Sequence, residues 1–198
     1  MRRNPACSCC RVPEGGGGVS ETIEKKRNGW LGGESQNAGS RQREVRWLTP
    51  EKYVSPLGRF DLDPCGAPGH TLADRTLLLE NGDDGLRDEW WGRVWLNPPY
   101  GKLTEPFMAK LAEHGDGIAL IFARTETGMW FREIWPKADA LLFVKGRISF
   151  LDADGVQAKA NAGAPSVLVA YGRNNAEALR ASGIDGAFID LTGSGKSD

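Results

Sequence analysis

Asn97-Pro98-Pro99-Tyr100-Gly101 is the stretch whose residue types and order point most directly to chemistry. An exocyclic amino group is a weak nucleophile, because its lone pair is delocalised into the ring that bears it. Two hydrogen-bond acceptors correct this by holding both N–H bonds and steering the nitrogen towards sp³ geometry. This sequence offers the Asn97 side-chain oxygen and the Pro98 carbonyl as those acceptors. Pro98 and Pro99 restrict φ, so the second carbonyl is aimed in advance. Tyr100 supplies a ring on which a planar target, such as a base taken out of a helix, would stack. The plainer reading is a proline-rich turn with Tyr100 packed on the surface. The buried-strand pattern of Arg93-Val94-Trp95-Leu96 immediately before Asn97 favours the chemical one.

A second group of candidates lies upstream. Asp63 ends the strand-like Phe60-Asp61-Leu62-Asp63, where a carboxylate would hold an amino group of a ligand directly or through water; as a plain turn residue, Asp before Pro64-Cys65-Gly66 is equally at home. Cys65 raises the possibility of a thiolate nucleophile, but it follows the first strand rather than the one that carries Asn97, and it reads better as a small packed side chain. Asp84, in Asn81-Gly82-Asp83-Asp84, is either a partner for an amino group of a bound nucleoside or part of a polar loop. Of the four cysteines, Cys7, Cys9 and Cys10 crowd the N-terminus. Their spacings are tighter than those of structural zinc sites and no second cluster follows, so no metal site is expected.

The elements that must position these groups alternate between strand and helix. Glu105 to His114 has helical spacing in Phe107, Met108 and Leu111, and Met129 to Trp135 fits a short helix. Gly117 to Ala123 is a continuous apolar run, the mark of a strand covered on both faces. Ala138 to Val144 and Ser166 to Tyr171 are further strands, followed by a helix around Ala176 to Ala181 and a final strand at Ala187 to Leu191. Leu72 to Leu79 fits helix or strand equally. The alternation predicts an α/β layered domain with a mostly parallel sheet, whose ligands bind beyond the carboxyl ends of the strands.

Composition bounds the rest. Residues 1–45, with Gly15 to Gly18, Gly32-Gly33 and no sustained apolar period, are expected to form a disordered arm; residues 46–192 form the folded domain and 193–198 a flexible tail. Residues 1–46 carry nine Arg or Lys against five acids, and residues 47–198 sixteen against twenty-one. An acidic body argues against a broad nucleic-acid surface, so any such contact is expected to be local. No apolar run approaches the roughly 20 residues that span a bilayer. The opening MRRNPACSCCRVPEGGGG has charge without an apolar stretch, so no secretory leader is expected and the cytoplasm is the expected compartment.

Asn97-Pro98-Pro99-Tyr100-Gly101 resembles the catalytic motif of amino-group methyltransferases. The surrounding chain, over about residues 47–172, resembles the phage and prophage DNA adenine N6-methyltransferase family (Dam-like). Trp47-Leu48-Thr49-Pro50 is similar to the segment before the family's cofactor strand, and Phe60 to Gly66 to that strand and its turn. Asp83-Asp84-Gly85-Leu86 with Trp90 is similar to its acidic segment, and Thr125 to Phe131 and Gly146 to Phe150 match later patterns, all in the same order. The resemblance implies a compact Rossmann-like fold ending in an antiparallel strand pair, S-adenosyl-L-methionine as cofactor, double-stranded DNA as partner, a monomer, and a bacterial host cell. It implies Asn97, Pro98, Pro99 and Tyr100 as the catalytic set. Trp47, Thr49, Pro50, Asp63, Cys65, Gly66, Asp84 and Asn97 are implied as cofactor-binding, with Lys102, Arg124 and Arg147 as DNA-binding. Two departures stand out: Gly66-Ala67-Pro68-Gly69 replaces the family's glycine-rich turn, and only about thirty residues separate it from Asn97, leaving Glu80 and Asp83 both open as the acid for the cofactor ribose. The long polar connection from Leu151 to Pro165 is a further candidate for DNA contact.

Three functions fit these residues: methylation of adenine in DNA, methylation of another amino or amide nitrogen in RNA or protein glutamine, and a non-catalytic nucleic-acid-binding module on the same fold. The motif alone fits the first two equally; the acidic body weighs against the third.

Overall fold

A computed structural model describes residues 48–151 and 163–193. Seven strands form one sheet: β1 (Leu62–Asp63), β2 (Arg75–Thr76), β3 (Val94–Leu96), β4 (Gly117–Phe122), β5 (Ala140–Val144), β6 (Ser166–Tyr171) and β7 (Gly186–Asp190). Two α-helices accompany them, α1 (Thr104–His114) and α2 (Arg173–Ala181). The spatial order is β2-β1-β3-β4-β6-β5-β7. The strands from β2 to β4 pair in parallel; β6 is inserted antiparallel between β4 and β5, and β7 runs antiparallel on the outer side of β5. The expected C-terminal antiparallel pair is therefore two strands that flank β5, each antiparallel to it, rather than two strands paired with each other.

The alternation of side chains along the central strands builds a core on each face. Val94 and Leu96 of β3 and Ala119 and Ile121 of β4 face α1, meeting Phe107, Met108 and Leu111. Trp95, Ile118 and Leu120 face the other way, towards Val54, Leu57 and Phe60 and towards Ala176 and Leu179 of α2. The uninterrupted apolar run of β4 follows from this double covering. Helix α1 stops at Gly115, whose φ of 76° lets its N–H close on the Leu111 carbonyl at 2.9 Å.

Two segments take forms that the sequence did not specify. Leu72 to Leu79, open between helix and strand, contains the two-residue β2 and leads into a 3₁₀ turn at Leu79–Asn81. The helix expected at Met129 to Trp135 is wound as a π-turn over Trp130–Ile134, anchored by the fully buried Trp130 and Ile134. Among the described residues no helix is long and apolar enough to cross a membrane. The expected arm, the N-terminal cysteines, Trp47, most of the Leu151 to Pro165 connection and the end of the tail lie outside the described residues.

Candidate active site

β1 and β3 are parallel neighbours, so their carboxyl ends open on the same edge of the sheet, with Asp63 the last residue of β1 and Asn97 the first after β3. A cavity of about 640 Å³ lies there, within the roughly 300–1,000 Å³ of small-molecule sites. Its wall includes Thr49, Asp63, Cys65, Gly66, Asp84 and Asn97 from the expected cofactor set, together with Pro98, Pro99 and Tyr100. Pro50 is not part of that wall; it starts the 3₁₀ turn Glu51–Tyr53 just beyond Thr49. Leu48 exchanges backbone hydrogen bonds with Leu151 at 2.9 Å, which brings Thr49 to the wall.

Asp63 is only 3 % exposed, and burial pushes its carboxyl up to about 7, opposed by the Cys65 N–H that donates to Oδ1 at 2.9 Å. Burial also pushes the Cys65 thiol well above its ordinary value, with the Asp63 charge adding to the effect. A thiol so disfavoured as a thiolate is a poor nucleophile, and Cys65 packs instead against the α1-side core. Gly66 is required by a close approach: a Cβ there would lie 1.9 Å from Thr76 Cγ2 of β2.

The far wall is the segment from Asp83 to Leu86. Asp83 accepts from the Leu78 N–H at 2.8 Å and pairs with Arg75 at 3.3 Å, and it lines the cavity. Glu80, the other acid left open for the ribose, is exposed and does not line it. Asp84 lines the cavity but also closes its own turn, accepting from the N–H groups of Leu86 and Arg87 at 3.0 and 3.2 Å. Lys110, one face of α1 away, donates to the Gly85, Leu86 and Asp88 carbonyls at 3.3, 2.9 and 2.5 Å, and Trp90 Nε1 donates to Gly85 O at 2.8 Å. These bonds hold the segment as a fixed wall. Among the described residues, three carboxylates and no Lys or Arg line the cavity, which suits a cationic ligand.

After β3 the chain turns at Asn97 to Gly101, and the Thr104 hydroxyl at the start of α1 donates to the Pro99 carbonyl at 2.8 Å. The Tyr100 ring stacks on Phe122 of β4, with centroids 4.2 Å apart and 13° between planes, and meets Phe150 edge-on at 6.3 Å. One face of Tyr100 is thus taken by the protein. Its hydroxyl is buried with no hydrogen-bond partner among the described residues, and burial pushes its pKa up.

The expected DNA-contacting residues stand outside the cavity wall. Lys102 and Arg124 are exposed, each two residues beyond a member of the stacked Tyr100–Phe122 pair, so both leave the sheet at the same rim. Arg147 is exposed past the carboxyl end of β5, in the segment that returns through Phe150 towards Tyr100. Sequence reasoning missed His70, Phe107, Lys110 and Phe122. His70 lines the cavity from the turn that replaces the glycine-rich loop, and burial lowers its pKa; that unusual turn was the only local signal for it.

Comparisons with curated proteins and with solved structures give no match. A model of the family described as DNA N-6-adenine-methyltransferase (Dam) matches residues 37–182, a span that takes in both the cavity and the turn after β3. That match covers well over half of the 198 residues, and the chain belongs to the DNA N-6-adenine-methyltransferase (Dam) family.

Proposed function

We propose that this chain, acting as a monomer, transfers the methyl group of S-adenosyl-L-methionine to N6 of adenine at a specific short site in double-stranded DNA. The observation that carries the reading is the placement of Asn97 to Tyr100 at the rim of an acid-lined cavity between β1 and β3. The parallel run β2-β1-β3-β4, with antiparallel β6 inserted before β5, is consistent with a Rossmann-like methyltransferase sheet.

The cavity residues fit the cofactor. Its sulfonium and amino groups are cationic, and the wall offers Asp63, Asp83 and Asp84. In this reading Asp63, beside the bare backbone of Gly66, takes the amino group, and Asp83, which lines the cavity where Glu80 does not, takes the ribose. Pro50 supports the Thr49 segment in this reading. When bound, the cofactor supplies an electrophilic methyl group that needs no metal. The Asn97 side-chain oxygen and the Pro98 carbonyl accept from the two N6 hydrogens, and their hydrogen bonds strengthen as the nitrogen becomes cationic. Preorganised groups aimed at developing charge are among the largest catalytic contributions. The hydrogen bond from Thr104 to Pro99 holds that turn in place before the substrate arrives. Tyr100, backed by Phe122, offers its remaining face to the base. Lys102, Arg124 and Arg147 take the phosphates.

The test is to incubate the protein with methyl-labelled cofactor and DNA, RNA or a protein extract, then identify the labelled product. Label recovered as N6-methyladenine from duplex DNA is the expected result. Label in RNA or in glutamine, or DNA binding without transfer, would replace this reading with one of the alternatives.

A further inference from the structure

Phe131 has no role in the site as described, yet it is the most exposed large apolar side chain of the described residues, at 66 %. Its position is fixed rather than incidental. It sits on the π-turn Trp130–Ile134, a form of helix often found at functional sites. Trp130 on one side and Ile134 on the other are fully buried, and Trp130 stacks on Phe143 with centroids 6.3 Å apart. Arg132 then ties the turn to Glu105 in the first turn of α1, its Nε donating at 3.1 Å. Because α1 begins just after the Asn97 to Gly101 turn, this ion pair ties the turn that carries Phe131 to Glu105 at the start of α1, two residues beyond Leu103, which is itself 49 % exposed. Lys102 and Arg124 leave the sheet at a common rim.

An exposed ring on a rigid turn, tied to the helix that follows Tyr100 and Lys102, matches the chemistry of a nucleic-acid duplex: phosphates for the cation and stacked bases for the ring. Taking a base out of the stack leaves a gap at its step, and apolar side chains that enter base steps offset the lost stacking. We propose that Phe131 is the ring that enters the DNA at the step vacated by the target adenine, steadied by the Arg132–Glu105 ion pair. This rests on the reading of the site as a DNA adenine methyltransferase and adds the residue that makes the base available.

The test begins with the native protein. Methylation of plasmid DNA, followed by sequencing of the modified positions, supplies the target site; absence of transfer here would count against the underlying reading and, with it, this one. Single-turnover rates are then compared on oligonucleotide duplexes with the target adenine paired to thymine or set opposite an abasic position. With Phe131→Ala, the rate on the paired site is expected to fall on the order of tenfold to a hundredfold, the range implied by one lost stacking contact. On the abasic duplex, where little pairing has to be broken, the same variant is expected within about threefold of the native protein. Phe131→Trp keeps a ring and is expected to retain most of the rate on both. An unchanged rate on the paired site overturns the proposal, as does an equal loss on both duplexes, which would mark a structural role.

Discussion

Asp63 sits in the cavity wall, and among the described residues it forms no ion pair. Its carboxyl is pushed up to about 7 by burial, above the ordinary carboxylate value, so folding favours the protonated form. The stability it contributes is complete below about pH 4 and is lost as pH rises through about 7. Asp63→Asn is therefore expected to raise the melting temperature at about pH 8 and to change it little near pH 4. Cofactor affinity should move the opposite way: holding a ligand ammonium needs the ionised form, so affinity of the native protein rises between about pH 6 and 8 and that rise disappears in Asp63→Asn. Melting curves and calorimetric titrations at matched pH check both signs. Tyr100 gives a second contrast at this scale. Its buried hydroxyl has no partner among the described residues, whereas its ring spans Phe122 and the proposed base. Tyr100→Phe is expected to keep most of the single-turnover rate and the native melting temperature, while Tyr100→Ala loses both. A large loss in Tyr100→Phe would assign the hydroxyl a part in the reaction.

Among the elements, β1 and β2 are the shortest strands and the most demanding. Each has two residues, and the turn between Asp63 and the start of β2 approaches β2 so closely that Gly66 has no room for a side chain. The atom in the way is Thr76 Cγ2, the methyl that serine lacks; Thr76 Cβ would stand 3.3 Å off. Gly66→Ala is expected to destabilise by about 1–3 kcal/mol, as overpacking does, and to weaken cofactor binding by parting the two strands. Combining it with Thr76→Ser should recover most of both losses, a coupling that a double-mutant cycle measures directly. Additive effects would show that the turn, not the contact with Thr76, bears the strain.

For the molecule as a whole, what was legible in the sequence depended on how local the signal was. The turn from Asn97 to Tyr100 announces itself because two prolines and an asparagine behind an apolar triplet carry their geometry with them. β4 was legible because a strand covered on both faces has no polar alternation to hide it. The insertion of β6 between β4 and β5 was not, because strand order is decided by pairings between segments more than forty residues apart, such as Phe122 with Ser166. For the same reason Lys110 and Phe122 were missed: each matters through a partner far along the chain, the carbonyls after Asp84 and the ring of Tyr100. Composition alone speaks for residues 1–36, which precede the family match and have no apolar periodicity with which to build a core. Their removal is expected to leave the melting temperature and the cofactor affinity unchanged; a clear drop in either would mean that they pack on the domain.

The central claim is that Asn97 accepts a hydrogen bond from the target nitrogen in the transition state. Its most direct test is the single-turnover rate of Asn97→Ala on duplex DNA, read beside its cofactor affinity. By analogy with a single oxyanion-hole donor, about 2.7–4 kcal/mol of transition-state stabilisation should be lost, a fall of roughly a hundred- to a thousandfold, with cofactor affinity little changed. Asn97→Asp, which still offers a carboxylate oxygen as acceptor, should retain part of the rate. Near-native chemistry in Asn97→Ala would contradict the mechanism at its core.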